Sequence, residues 1–178
     1  MRTILITSAA YLILVIALIS CKKESENKYT YYCNKGDAIN YGREGECVFL
    51  SDVFAGAYET KIVSTDYAKL SIDKTYTIAF SKTTYFSCNF AGQADYNIMH
   101  MGNRGGAEFF SYDGGCMYLK GYHFYLSSAE IQDSNDWTMR SSMQGEGTFT
   151  DGGFEFKGTI YPKYSSTTYN VQLKGTKK

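Results

Sequence analysis

The sequence is short of the residues on which many enzymes rely. It contains 178 residues but only two histidines, His100 and His123, and it has neither a Gly-x-Ser-x-Gly nor a His-Glu-x-x-His motif. Lysine and arginine together number 18, as do aspartate and glutamate, so no net charge would attract nucleic acid. We therefore expect a protein that does not catalyse a reaction, needs no cofactor and has no nucleic-acid partner.

Proline is nearly absent as well, whereas glycine and aromatic residues are abundant. Pro162 is the only proline, against 17 glycines, 17 tyrosines and 11 phenylalanines. Aromatic residues favour strands, and glycine favours the turns between them. This composition predicts an all-β protein rather than a helical one.

The first 20 residues have the layout of a secretory signal. Arg2 precedes an apolar stretch from Ile4 to Ile19, and the stretch ends at Leu18-Ile19-Ser20-Cys21. This ending resembles the lipobox of bacterial lipoproteins, a family in which the signal is cleaved before the cysteine. The resemblance implies a signal peptide at 1–20 and lipidation of Cys21. A single uncleaved membrane anchor is the alternative.

Residues 21–28 are predicted to form a lipidated tether. The sequence Lys22-Lys23-Glu24-Ser25-Glu26-Asn27-Lys28 has no apolar side chain to bury, so it should remain solvated. It resembles the export tags of surface lipoproteins in the Bacteroidota. The resemblance implies a protein anchored by its lipid to the outer membrane of the cell envelope, facing the periplasm or the cell surface.

Four cysteines follow Cys21, and an even number in an exported chain predicts disulfide bonds. They are Cys33, Cys47, Cys88 and Cys116. Of the three possible pairings, Cys33–Cys47 with Cys88–Cys116 is favoured because each bridge closes a local segment. Four free buried thiols are the alternative. No Cys-x-x-Cys spacing is present, which disfavours a structural zinc site.

Alternation of apolar and polar residues predicts about ten short strands in a single domain, 29–178. The alternating segments are centred on Tyr76–Phe80, Phe86–Phe90, Tyr96–Ile98, Glu108–Tyr112, Cys116–Lys120, Tyr122–Leu126, Gly147–Thr150, Phe154–Ile160 and Tyr169–Leu173. Glycine clusters at 105–106, 114–115 and 121 predict turns between strands. Ser127-Ser128-Ala129-Glu130 has capping-box spacing and predicts one short helical turn.

These strands favour an antiparallel meander closed, or nearly closed, into a β-barrel, with a β-sandwich as the alternative. Residues 145–177, with Gly145-x-Gly147-Thr-Phe, Phe154-x-Phe156-x-Gly158 and Tyr169-x-Val171-x-Leu173-x-Gly175, resemble the last three strands of lipocalin-like lipoproteins. The resemblance implies a barrel that holds a small apolar ligand.

A second resemblance lies near the predicted mature N-terminus. Tyr32-Cys33-Asn34-Lys35-Gly36 is similar to the Tyr-x-Cys-x-x-Gly opening of membrane-bound lysozyme inhibitors. The resemblance implies inhibition of a periplasmic or extracellular enzyme such as lysozyme.

Two segments carry residues that can bind metals, but their patterns do not favour metal sites. In Met99-His100-Met101 the methionines would face away from the histidine on a strand. Asp133-Ser134-Asn135-Asp136 lacks the glycine and the distant glutamate of an EF-hand and is typical of a turn. We therefore expect no metal.

Aromatic side chains are the best candidates for binding. Trp137 follows a polar loop, and Tyr122 and Tyr125 lie in the central hairpins; such rings suit carbohydrate stacking and protein interfaces. The sequence predicts binding of a small apolar ligand, a glycan or a protein without catalysis. Inhibition of an enzyme is the alternative.

Overall fold

The computed structural model describes residues 31–82, 88, 90, 93–104 and 108–178, with the side chains of 112 and 113 left out. Eight antiparallel strands follow one another around a closed barrel, and the last strand pairs with the first. The strands are β1 (Gly56–Thr65), β2 (Thr75–Lys82), β3 (Ile98–Asn103), β4 (Phe110–Lys120), β5 (His123–Ile131), β6 (Ser142–Thr150), β7 (Gly153–Tyr161) and β8 (Tyr169–Lys177). The predicted all-β closed meander is confirmed, and the sandwich alternative is wrong.

A short helix, α1 (Leu50–Phe54), precedes the barrel, and 3-10 turns lie at Asp95–Asn97 and Trp137–Met139. No helix in the described part of the chain is long and apolar enough to cross a membrane. The predicted signal peptide 1–20, Cys21 and the tether 21–28 lie outside the described residues. Lipidation and anchoring therefore stay predictions.

Two local predictions are wrong, because glycines predicted to form a turn and serines predicted to begin a helical turn lie within strands instead. The predicted strands at 108–112 and 116–120 are not separated by a turn: β4 runs through both Gly114 and Gly115. A side chain at Gly114, whose φ is +112°, would overlap the backbone of Met101 and Gly102, so this glycine allows close strand approach.

The predicted helical turn at 127–130 lies within β5 instead. The register of β5 shifts between Leu126 and Ala129, so the two serines occupy a bulge. The Ser127 hydroxyl donates to the carbonyl of Cys116 at 3.1 Å. A short serine-rich segment can satisfy its polar groups in either conformation, and strand pairing decides the outcome.

The interior of the barrel is filled by its own side chains. Along β7, Phe154, Phe156 and Ile160 are buried, while Glu155 and Lys157 are exposed, as the alternation predicts. Eight strands enclose a space just wide enough for side chains to fill, or for one small ligand. The buried cluster here comprises Phe54, Tyr58, Ile62, Tyr67, Leu70, Tyr76, Ile78, Phe80, Met99, Met101, Phe109, Phe110, Met117, Leu119, Phe124, Leu126, Ala129, Ile131, Met143, Phe149, Phe154, Phe156, Ile160, Val171 and Leu173.

Glycines in the wall make room for these rings. The Phe124 ring lies where a side chain of Gly147 would be, and the Phe154 ring lies against Gly175 in the same way. Gly145 is directly opposite Gly158 on the neighbouring strand, and Phe156 packs against both. The glycine-rich spacing of β6 to β8 is thus a packing requirement of the aromatic core.

Each end of the barrel is covered by residues from outside the sheet. At one end, Phe54 of α1 stacks on Phe149 with ring centroids 4.1 Å apart, and its carbonyl accepts a 2.9 Å hydrogen bond from Tyr58. At the other end, Tyr67 and Leu70 of the β1–β2 connection are buried in the core. Helix α1 was missed from the sequence because five residues show no helical periodicity.

Both predicted disulfides are present. Cys33–Cys47 closes a loop segment that precedes α1, and Cys88–Cys116 joins residue 88 to the outer side of β4. Asn40 organises the first loop, because its amide donates to the Glu46 carbonyl and its side-chain oxygen accepts from the Val48 amide.

Candidate ligand-binding groove

The three aromatic residues predicted to bind do not lie together. Tyr122 is in the β4–β5 turn and contacts Phe54 of α1, whereas Trp137 is in the β5–β6 connection at the other end of the barrel. Trp137 and Tyr122 are 63% and 55% exposed. Tyr125 lies between them, on the outer face of β5. Tyr122 and Trp137 therefore do not belong to the same compact site.

Strand register gathers a set of side chains around Tyr125. Tyr125 is directly opposite Tyr118 on β4 and Glu146 on β6, and Glu146 is directly opposite Lys157 on β7. Positions directly opposite in an antiparallel sheet share a face, so these four side chains form a row across the outside of the barrel. The row places an aromatic pair, a carboxylate and an ammonium side by side.

A depression follows β6 through this row, and we call it the β6 groove. It consists of two adjoining hollows of about 420 and 490 Å³ that share Tyr125, Glu146 and Lys157. One hollow extends to His123, Thr148 and Glu155, and the other to Gln144, Thr159 and Asn170. The backbone of Gly145 and Gly147 contributes to its surface.

Stacked aromatic rings form one wall of the groove. The Tyr118 and Tyr125 rings are 4.8 Å apart and inclined by 18°, and the Phe90 ring meets Tyr118 edge-on at 5.0 Å. Since the two stacked rings belong to neighbouring strands, their planes stand across the strand-to-strand direction. Tyr118 covers one face of Tyr125, and the other face points toward β6 and the groove.

Glu146 and Lys157, at the centre of the groove, differ from Glu155 and Lys174 beside them in their ion pairing. Glu155 and Lys174 form an ion pair at 3.0 Å on the adjoining row. Within the described residues, neither Glu146 nor Lys157 takes part in an ion pair or a side-chain hydrogen bond, although they are opposite one another. Both are exposed. An acceptor and a donor are thus available side by side for a ligand.

Hydrogen-bonding groups lie at both ends of the groove. The Thr148 hydroxyl and His123 Nδ1 are 3.0 Å apart, and the Gln144 amide donates to the Tyr161 hydroxyl at 2.5 Å. These contacts hold the side chains in place through bonds within the protein. The groove therefore combines one ring face, the Glu146 carboxylate, the Lys157 ammonium, hydroxyl and amide groups, and at one end the ion-paired Glu155.

A second feature is the internally hydrogen-bonded loop that carries Trp137. The Asp136 carboxylate accepts from the backbone amide of Thr138 at 2.9 Å and from its hydroxyl at 2.7 Å, and these bonds lower the pKa of Asp136. Arg140 donates to the Ser134 carbonyl at 3.1 Å. The loop presents Trp137 and Met139 to solvent on an ordered scaffold.

Hydrogen bonds at this end of the barrel join the loop to Tyr67 of the β1–β2 connection. The Tyr67 hydroxyl donates to the Asp133 carboxylate at 2.5 Å and lies 2.8 Å from the Ser141 hydroxyl, which also bonds to Asp133. Burial, together with the bond to Asp133, raises the pKa of Tyr67 to about 12. Asp133 is thus engaged within the protein, as expected for a turn rather than a calcium site.

The histidine–methionine segment has the predicted geometry. Met99 and Met101 are buried in the interior, and His100, although also buried, occupies the alternate position on β3. Among the residues that the structure describes, no group of three or more histidine, cysteine or acidic side chains could hold a metal ion.

Glu146 and Lys157 were missed from the sequence, and Tyr118 was not among the three aromatic residues predicted to bind. The alternation indicates that Lys157 points outward, but only strand register reveals which outward residues are neighbours. The Gly145-x-Gly147 spacing in the sequence was a signal for this site, because two glycines on one strand leave a surface without side chains.

Comparison with models of protein families, with curated proteins and with solved structures finds no match to this chain.

Proposed function

We propose that this protein is a non-catalytic binding protein, held at the outer membrane by a lipid on Cys21, that recognises a polar ligand in the β6 groove. The observation that carries the proposal is the contrast between a filled interior and an outer groove whose Glu146 carboxylate and Lys157 ammonium have no partner in the part of the chain that the structure describes. Ligand sites combine an apolar surface with a few convergent polar groups, and the groove has both.

Carriage of a small apolar ligand inside the barrel is less well supported. Phe80, Phe124, Phe149 and Phe154 pack against one another at centroid distances between 4.9 and 6.4 Å. A ligand in this space would have to displace these rings and would forfeit their mutual packing.

Binding without turnover fits the chemistry of the groove. Two carboxylates lie near one another, but Glu155 is held by Lys174, and both members of that pair are 63% exposed at the side chain. A pair of carboxylates that acts as acid and base needs both groups available to the substrate, whereas here one of the two is already bound to a lysine.

Inhibition of an enzyme is the second candidate function. It is favoured by Trp137 and Met139, exposed on a loop fixed by Asp136, Arg140 and the Tyr67–Asp133–Ser141 bonds. Preorganised loops lose little conformational entropy on binding, and exposed tryptophan is a frequent interface anchor.

The first experiment purifies the detergent-solubilised lipoprotein from its envelope and identifies retained molecules by mass spectrometry. We expect wild type to retain a ligand that Tyr125→Ala and Glu146→Ala lose. Tyr164→Ala changes a tyrosine that is 79% exposed and outside the groove, so it serves as the matched control. A retained ligand that is unaffected by the groove variants but lost in Trp137→Ala would favour the loop instead.

A separate experiment tests the anchor. Replacing Cys21 by serine should abolish acylation and leave uncleaved or mislocalised precursor, measured by metabolic labelling with a fatty acid and by fractionation. Unchanged processing and membrane attachment would refute lipidation at this residue.

A further inference from the structure

We infer that the ligand of the β6 groove is a short neutral oligosaccharide that lies along β6 with a sugar ring stacked on Tyr125. The inference rests on the proposed function, because it names the ligand class for the same site. Three observations support it. They are the orientation of the Tyr125 ring, the adjacent Glu146 and Lys157 side chains, and the hydroxyl and amide groups along the groove.

The ring orientation sets the direction of the ligand. Tyr118 occupies one face of Tyr125, so a ligand can stack only on the face directed toward β6. A flat ligand stacked there has its plane parallel to the strands. Pyranose rings present C–H groups to aromatic faces, and equatorial glycosidic bonds leave roughly in the plane of the ring. A chain of such rings therefore runs along the groove rather than across it.

The dimensions of the groove agree with a few sugar units. From Gln144 to Thr148 the outer face of β6 advances about 14 Å, since a strand rises about 3.4 Å per residue. This length accommodates two or three linked pyranose rings at about one ring for every two residues of strand. Both hollows would be occupied, with the stacked ring at the shared centre.

The polar groups match hydroxyls better than they match charges. Carboxylates only accept hydrogen bonds and ammonium groups only donate them, whereas each sugar hydroxyl does both. Glu146 and Lys157 are neighbours and have no side-chain partner among the described residues, so adjacent hydroxyls of a ligand can satisfy both at once. Formal charges in the centre cancel, and the Glu155–Lys174 pair beside them also cancels. A ligand with a large charge of either sign would lack a counterpart.

An extended peptide is less well suited to this face. Peptides that join sheets do so by pairing with a free strand edge. In the described part of the chain each of the eight strands has a neighbour on both sides, so the groove offers side chains only.

The test measures binding of neutral trisaccharides to the full detergent-solubilised chain by calorimetry. The probes are maltotriose, cellotriose and triacetylchitotriose, with trialanine, trilysine and triglutamate as peptide probes. We expect at least one trisaccharide to bind, Tyr125→Ala to weaken binding about tenfold or more, and Glu146→Ala to weaken it about threefold to tenfold. Tyr125→Phe, which keeps the ring, should bind within about threefold of wild type.

Controls separate this inference from the proposed function. Tyr164→Ala should bind like wild type, and raising salt from about 0.05 to 0.5 M should change trisaccharide affinity less than about twofold. Trisaccharide binding that is unaffected by Tyr125→Ala would overturn the inference, as would binding of none of the three. If a peptide probe binds in the groove instead, the proposed function stands and the sugar assignment is wrong. If no probe binds, the sugar assignment is wrong and the proposed function loses its support. Turnover of a bound trisaccharide that depends on Glu146 would overturn only the non-catalytic part of the proposed function.

Discussion

The two faces of β6 and β7 share one backbone but have opposite compositions. Phe149, Phe154 and Phe156 face inward and are at most 2% exposed, while Glu146 and Lys157 face outward without side-chain partners in the described structure. Burial of an aromatic ring contributes several kcal/mol, whereas exposed charges contribute little. Stability therefore depends on the inward residues, and the recognition that we propose depends on the outward residues of the same strands, so we expect that each can be changed without the other.

The largest expected effect comes from emptying the inner face. Phe149→Ala removes a ring that contacts Phe54, Phe80 and Phe124, and it should lower the free energy of unfolding by about 3 to 5 kcal/mol. Urea unfolding followed by circular dichroism measures the loss. A loss below about 1 kcal/mol would mean that the interior tolerates a void. Binding of a small apolar ligand inside the barrel would then become the better supported function.

The next effect tests an element outside the barrel. The double variant Cys33→Ser, Cys47→Ser opens a loop with a sequence separation of 14, which in the chain-entropy model removes about 3 kcal/mol. The same unfolding measurement applies, with non-reducing peptide mapping to confirm both bridges in the parent. An unchanged unfolding curve would show that this loop is independent of the barrel.

Removing one buried hydroxyl should have a smaller effect. Tyr67→Phe deletes the bonds to Asp133 and Ser141 at the barrel end and should lower stability by about 1 to 2 kcal/mol. Tyr164→Phe is the control, and hydrogen exchange of the β5–β6 connection should rise only in Tyr67→Phe. Equal stability of the two variants would mean that the network does not hold the loop.

Alkaline pH should weaken the same inner contacts. The pKa values of Tyr58 and Tyr67 are raised to about 12, in both cases chiefly by burial, from an ordinary value near 10. A raised folded pKa favours the protonated form, so its contribution is complete below pH 10 and is lost as the pH rises toward 12. Thermal unfolding between pH 9 and 12 should therefore show falling stability. The fall should be smaller in Tyr58→Phe, and a fall of the same size would contradict this cause.

The smallest effect on stability is expected on the outer face. Tyr125→Ala should lower the free energy of unfolding by about 1 kcal/mol or less, because the half-buried ring loses chiefly its stacking on Tyr118. Its effect on ligand retention should be much larger. A loss of stability as great as that of Phe149→Ala would mean that Tyr125 is needed for folding, and the inner and outer faces would then not differ in their contribution to stability.

The fold was largely predictable because alternation is a local signal. Phe154, Phe156 and Ile160 alternate with charged residues within one segment, and the turn Asp151-Gly152 is adjacent in sequence. The disulfides were predictable because each closes a short segment. By contrast, β4 was divided in two because Gly114 serves a contact with β3, about a dozen residues earlier, which local sequence does not reveal.

The site was less predictable because it depends on pairing. Tyr125 was predicted from its residue type, but Glu146 and Lys157 become its neighbours only through the register of β5, β6 and β7. A shift of one residue would turn these side chains inward. Trp137 and Tyr122 were predicted on the same chemical grounds and lie at opposite ends.

Closure of the barrel also has a consequence for the order of folding. Thr65 of β1 bonds to Asn170 across a separation of 105 residues, so the first strand waits for the last before its outer edge is covered. Contacts of such sequence separation form late and slow the folding of β-proteins. Until β8 arrives, the meander of β1 to β7 has two uncovered edges, which can pair with other chains. We therefore expect pairing of the final strand to end the interval in which this chain is most exposed to aggregation.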